Sequence, residues 1–178
     1  GDYCFSLCKG LKKITFGANL ESIGSYAFYE CVALTSLVLP KGLTAIGNHA
    51  FYGCQNVEGS ITLPAGVETL GSSAFEDCVG ITQILFSDGL TTIENYAFRG
   101  CTGLTELSLP NTLETLGDDA FRFCKNITTV TFSKNLKSIG EYAFGSCEKL
   151  PQIVLPQGLI TLGNFAFSQC KSLNAITL

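Results

Sequence analysis

The chain has 178 residues and a mass of 19.0 kDa, with 46% apolar and 15% charged residues and a mean hydropathy of +0.31. That composition excludes a disordered, highly charged segment and fits one domain with a sizeable core. A net charge of −4 and a pI near 4.9 exclude a nucleic-acid binder carried by a broad basic surface, and no apolar run approaches the ~18 residues of a membrane helix.

Taken in order, the chain repeats itself. Gly1–Gly10 holds no basic stretch leading into an apolar one, so no signal peptide is read there. Cys4–Phe5 opens the first unit, and Ala-Phe follows at Ala27–Phe28, Ala50–Phe51, Ala74–Phe75, Ala97–Phe98, Ala120–Phe121, Ala143–Phe144 and Ala166–Phe167. The Phe spacing is 23, apart from a single 24 caused by an extra residue near Glu58–Ser60. Three residues after each Phe stands Cys, at Cys8, Cys31, Cys54, Cys78, Cys101, Cys124, Cys147 and Cys170. Within Tyr26–Cys31 and its equivalents the apolar positions lie about one turn apart, which predicts one or two turns of helix.

An aliphatic residue comes next (Leu11, Leu34, Val57, Ile81, Leu104, Ile127, Leu150, Leu173) and begins an L-x-x-L-x-L run. The L-x-L part alternates with period two, as in Leu37–Leu39 or Ile84–Phe86, and predicts a short strand with one inward face. Pro40, Pro64, Pro110 and Pro156 stop the strand. Two more aliphatics and a glycine, such as Leu43, Ile46 and Gly47, close the unit, and the glycine suits a positive-φ turn. Glu94 breaks the glycine column, implying a turn that is either not left-handed or strained.

One coil of this length cannot bury its apolar side chains alone; stacked coils bury them as ladders of like residues. Parallel strands about 4.8 Å apart would make a rod on the order of 35 Å long. The full pattern resembles the BspA-like class of leucine-rich repeats over the whole chain. The resemblance implies an α/β repeat fold: a right-handed solenoid with a parallel β-sheet on one face and short helical turns on another. Residues 1–178 then form a single domain of eight 23–24-residue coils, the first and last incomplete. It further implies a cell-surface or secreted protein associated with adhesion to host or neighbouring-cell proteins. The expected coil ends lack polar caps, so the segment reads as part of a longer array, with end-to-end homo-association as the alternative.

Eight of the nine Cys form one ladder, without the C-x-x-C spacing of a metal site, and parallel inward side chains make poor disulfide geometry. They read as buried thiols acting as small hydrophobes, with Cys4 as the exposed exception. His49 lies in a variable column and has no nucleophile or carboxylate constellation around it. The acidic pairs Glu76–Asp77 and Asp118–Asp119 read as a solvated face. Asn126-Ile127-Thr128 matches a glycosylation sequon. No catalytic residue, metal ligand or cofactor site is expected, and neither nucleic acid nor membrane insertion.

The candidate partner-binding surface is the outward face of the L-x-L strands: Ser36, Val38, Thr62, Gln83, Leu85, Glu106, Ser108, Thr129, Thr131, Gln152 and Val154. It is nearly uncharged and weakly apolar, a combination that suits docking of a protein partner. The expected function is therefore a non-catalytic protein-interaction module, with a structural spacer or self-assembling segment as the alternative.

Overall fold

A computed structural model describes residues 1–178. Thirteen short strands follow the repeat: β1 (Ser22–Ile23), β2 (Ala45–Ile46), β3 (Gly59–Thr62), β4 (Thr69–Leu70), β5 (Ile81–Leu85), β6 (Thr92–Ile93), β7 (Glu106–Ser108), β8 (Thr115–Leu116), β9 (Thr129–Thr131), β10 (Ser138–Ile139), β11 (Gln152–Val154), β12 (Thr161–Leu162) and β13 (Ala175–Thr177). Every pairing is parallel, and apart from Gly59 with Ile81 each joins a residue to its equivalent one coil away, such as Ile23 to Ile46 and Ile93 to Leu116. The chain is a parallel β-solenoid.

Its sheets are not where the alternation alone places them. The continuous sheet is β1-β2-β4-β6-β8-β10-β12, built from the second closing aliphatic of each unit and the small or polar residue before it. The L-x-L segments form only three separate pairs, β3-β5, β7-β9 and β11-β13.

The predicted helical turns are absent; the Ala-Phe segments are consecutive β-turns. Two columns there hold left-handed backbone in every unit: the Tyr26, His49 and Tyr96 column, and the Glu30, Gly53 and Phe123 column four residues later, with φ from 50° to 73°. A helix would keep its amides in internal bonds. Here alternate amides run along the rod instead: Tyr26 N–H donates to Asn48 O (2.8 Å), Phe28 to Ala50 O (2.8 Å) and Glu30 to Tyr52 O (2.7 Å). Each left-handed non-glycine residue costs roughly 1–2 kcal/mol, which the inter-coil bonds offset.

The glycine after each closing aliphatic is not left-handed. Its role is close approach: a Cβ on Gly140 would lie 2.4 Å from the Gly117 carbonyl carbon, and one on Gly47 2.6 Å from Ser25 N. Glu94 fits the column by sending its carboxylate back to accept the Ser72 N–H (3.0 Å) and hydroxyl (2.9 Å).

The core runs the length of the rod. Phe5, Phe28, Phe51, Phe75, Phe98, Phe121, Phe144 and Phe167 form one unbroken stack, with successive centroids 5.2–5.6 Å apart and rings within 12° of parallel. Beside it run the Cys ladder and the ladders of Leu, Ile and Val, in a single cluster of 46 buried residues.

Candidate partner-binding face

The period-two alternation determines which L-x-L side chains point outward. All eleven predicted positions are exposed, from Ser36 and Val38 in the second unit to Gln152 and Val154 on β11. Val38 is 82% exposed, Val154 63% and Leu85 43%. Ser36 and Val38 lie outside any assigned strand, Thr62 is on β3, Gln83 and Leu85 on β5, Glu106 and Ser108 on β7, and Thr129 and Thr131 on β9. The face carries a single charge, Glu106, among these residues.

Two depressions interrupt it. One of about 290 Å³ reaches from β5 across β7 to β9, lined by Leu85, Phe86, Glu106, Ser108 and Thr131 among others. One of about 520 Å³ lies between β9 and β11, lined by Phe132, Lys134, Val154 and Pro156 among others.

The turn face departs from the solvated surface expected of it. Glu76 and Asp119 are buried, not solvated. Glu76 pairs with Arg99 at 2.6 Å and Asp119 with Arg122 at 2.8 Å. Arg122 also lies over the Phe123 and Tyr142 rings, at 4.8 and 4.3 Å from their centroids. Asp118 is half-buried and accepts the Glu141 N–H at 2.7 Å. Asp2, Asn48 and Asn95 do the same for Ser25, Ser72 and Asp118 in the next coil. The sequence signal for this column of caps is the recurrent Asp or Asn directly after the column glycine, or after Glu94 in its place.

His49 belongs to the left-handed column and stacks on Tyr26 at 4.5 Å, itself stacked on Tyr3 at 4.8 Å. Burial lowers its pKa, with the Glu76 charge acting in the opposite direction. Its Nδ1 is buried without a hydrogen-bond partner. The ring packs as an aromatic rather than entering a constellation. Asn126 of the sequon is also committed: its side-chain amide donates to Thr102 O at 2.8 Å, as Asn56 does to Val32 O.

The nine cysteines are all free. Seven are buried, and each of these thiols donates to the carbonyl of the Phe one coil back, from Cys31 to Phe5 O (3.1 Å) to Cys170 to Phe144 O (3.2 Å). They are therefore hydrogen-bond donors as well as small hydrophobes. Cys8, assigned by its column to the buried ladder, is exposed along with Cys4. It lies in the first coil, with no preceding coil in the structure to cover it. Burial pushes the Cys54 thiol up to about 12 and raises Cys78, Cys101, Cys124 and Cys147 well above the usual thiol range. Because the thiolate is the nucleophile, these side chains are inert at neutral pH. An aromatic disulfide reagent at pH 8 is expected to modify Cys4 and Cys8 within minutes, and the seven others only after denaturant is added. Rapid reaction of all nine in the native protein would contradict the packing.

No group of three or more His, Cys, Asp or Glu gathers to hold a metal ion. The structure has no helix long and apolar enough to cross a membrane.

The BspA type leucine-rich repeat region matches residues 1–105 and 68–178, in six copies. No curated protein sequence matches the chain. Among solved structures, a leucine rich cell surface protein from Faecalibacterium prausnitzii is similar at 32% identity and a TM-score of 0.81, over 92% of this chain and 45% of that one. The T. pallidum leucine rich repeat protein is similar at 31% identity and 0.79, over 87% of this chain and 72% of that one. A leucine-rich repeat protein from Eubacterium ventriosum is similar at 26% identity and 0.77, over 86% of this chain and 41% of that one. The chain thus spans less than half the length of the first and third. With the repeat model running from end to end and the coil geometry shared with these bacterial proteins, the chain belongs to the BspA-type leucine-rich repeat family.

Proposed function

We propose that this chain is a non-catalytic protein-interaction module of a cell-surface or secreted bacterial adhesin, and that it docks a host or neighbouring-cell protein on the L-x-L face. The observation that carries this reading is that face itself. From Ser36 to Val154 it presents a nearly uncharged surface with Val38, Leu85 and Val154 exposed. Such a surface costs little to desolvate, and its flanking Ser, Thr and Gln supply hydrogen bonds around the apolar points. The surface location draws support from the Faecalibacterium protein, which is described as a cell surface protein.

The test is binding to an immobilised extracellular-matrix extract and to intact bacterial cells. Val38→Glu with Val154→Glu is expected to weaken capture at least tenfold while leaving the urea-unfolding midpoint unchanged. Both side chains project into solvent, so the fold has no reason to respond. Undiminished capture by a folded variant would remove the face from the mechanism and favour the spacer reading.

A further inference from the structure

We infer that the residue closing each L-x-L segment decides whether its coil zips onto the next, so that Phe16, Phe86 and Phe132 set the splay and curvature of this face. The inference concerns shape and stands whether or not the face binds a partner.

The closing residues are Phe16, Leu39, Leu63, Phe86, Leu109, Phe132 and Leu155. Where the residue is Leu63, Leu109 or Leu155, its amide donates to the next coil, to Leu85 O, Thr131 O and Thr177 O, each at 2.9 Å. These bonds continue the three paired sheets β3-β5, β7-β9 and β11-β13. Where the residue is Phe16, Phe86 or Phe132, the amide makes no backbone bond. The equivalent acceptors would be the carbonyls of Val38, Ser108 and Val154. No ladder joins β5 to β7 or β9 to β11; one depression opens at the β9–β11 step, and the other reaches from β5 across β7 to Thr129 and Thr131 on β9.

The rings supply the physical cause. Phe16, Phe86 and Phe132 stand edge-on to the stacked Phe28, Phe98 and Phe144 of the next coil, at 5.7, 6.0 and 5.5 Å and interplanar angles of 82°, 88° and 81°. At this column Leu63, Leu109 and Leu155 are buried, whereas the three Phe are half-buried. The longer ring reaches across the step and wedges the strands apart. Across the rod, the continuous sheet stays paired at these steps, for instance Ile93 to Leu116 and Ile139 to Leu162. Widening one side of a stack whose other side is fixed bends it, with the L-x-L side outermost.

Leu39 is the exception: its amide is also unbonded. The coil that follows it carries the extra residue, where Gly59 has φ +86° and the register slips between Gly59 and Ser60. The inserted residue displaces the acceptor strand, so a second, independent cause opens that step. Phe also travels with a small residue in place of Pro, at Gly17, Ser87 and Ser133. The Ser87 hydroxyl bonds backward to Leu63 O (2.6 Å) and does not cross the opened step.

The experiment is residue-resolved amide exchange on the full chain in three variants. In Phe86→Leu with Phe132→Leu, exchange at residues 86 and 132 is expected to slow at least tenfold. In Leu109→Phe, exchange at residue 109 is expected to accelerate at least tenfold, with the β4–β12 ladder still protected. Ser87→Pro with Ser133→Pro is expected to leave residues 86 and 132 as they are. Unchanged exchange at 86 and 132 in the Leu variant, with the continuous ladder intact, would overturn the inference. Protection gained through the Pro substitutions alone would overturn it too. Should the Leu variant lose its fold, Leu109→Phe decides: continued protection at residue 109 refutes the wedge.

Discussion

Raising the pH above 9 is expected to unfold the protein along an unusually steep curve. Cys54, Cys78, Cys101, Cys124 and Cys147 all have thiols raised by burial, Cys54 to about 12. In the unfolded chain the same thiols ionise at their ordinary value near 9.0. A folded-state pKa above the unfolded one means the native chain holds more protons through that interval. Stability is then fully present below pH 9 and is lost as the pH rises from there toward 12. Each thiol kept from ionising contributes a limiting slope of ~1.4 kcal/mol per pH unit, so five together approach about 7. Net stabilities of natural domains are about 5–15 kcal/mol, so unfolding should fall within one to two units above pH 9. Urea unfolding at closely spaced pH values checks this. Cys101→Ala with Cys124→Ala, although less stable at pH 7, should show a visibly shallower slope. Equal slopes for the two proteins would mean the buried thiols are not the titrating groups.

Phe98→Ala is expected to cost about 3–5 kcal/mol, the range for removing a buried aromatic from a well-packed core. Phe98 lies between Phe75 (5.6 Å) and Phe121 (5.2 Å) and receives the edge of Phe86 (6.0 Å). Losing it removes three ring contacts together, each worth roughly 0.5–1.5 kcal/mol beyond its buried area. The position matters as much as the size. In a solenoid each coil is stabilised by its two neighbours, so a weak central coil uncouples the halves. The denaturation curve should therefore broaden or split as well as shift. Phe5→Ala makes the comparison, since Phe5 is 49% exposed and stacks on one neighbour only. Similar losses from the two substitutions would contradict a stack whose strength depends on neighbours on both sides.

Much of this architecture was legible as a sequence because repetition turns single residues into columns. An Ala-Phe pair says little alone; recurring at a fixed spacing with Cys three residues on, it forces the equivalent atoms into register and makes stacking of like on like unavoidable. The Phe stack, the buried Cys ladder and the outward set from Ser36 to Val154 all followed from that logic. The turns did not. The spacing of Ala27, Cys31 and Leu34 fits a helix as well as a run of β-turns, and local spacing carries no information about where an amide finds its acceptor. The acceptors are one coil away, at Asn48, Ala50 and Tyr52, and reaching them requires left-handed backbone at Tyr26 and Glu30. The column glycines were misread for the same reason. Their smallness answers to a neighbouring backbone 2.4–2.8 Å from the missing Cβ, a contact no turn preference encodes.

The repeat, the identity of the core ladders, the outward face and the family are all legible from the residues, since each depends on periodicity and side-chain polarity. The tertiary structure alone decided how the coils are tied. The fold places the continuous sheet on the second closing aliphatic and the residue before it, buries Glu76 and Asp119 beside Arg99 and Arg122, and leaves the L-x-L face zipped at Leu63, Leu109 and Leu155 but open at Phe86 and Phe132. Those outcomes turn on contacts between neighbouring coils, which the pattern within one coil does not encode. A hydrogen bond forms or fails within a few tenths of an ångström, a margin that periodicity does not resolve.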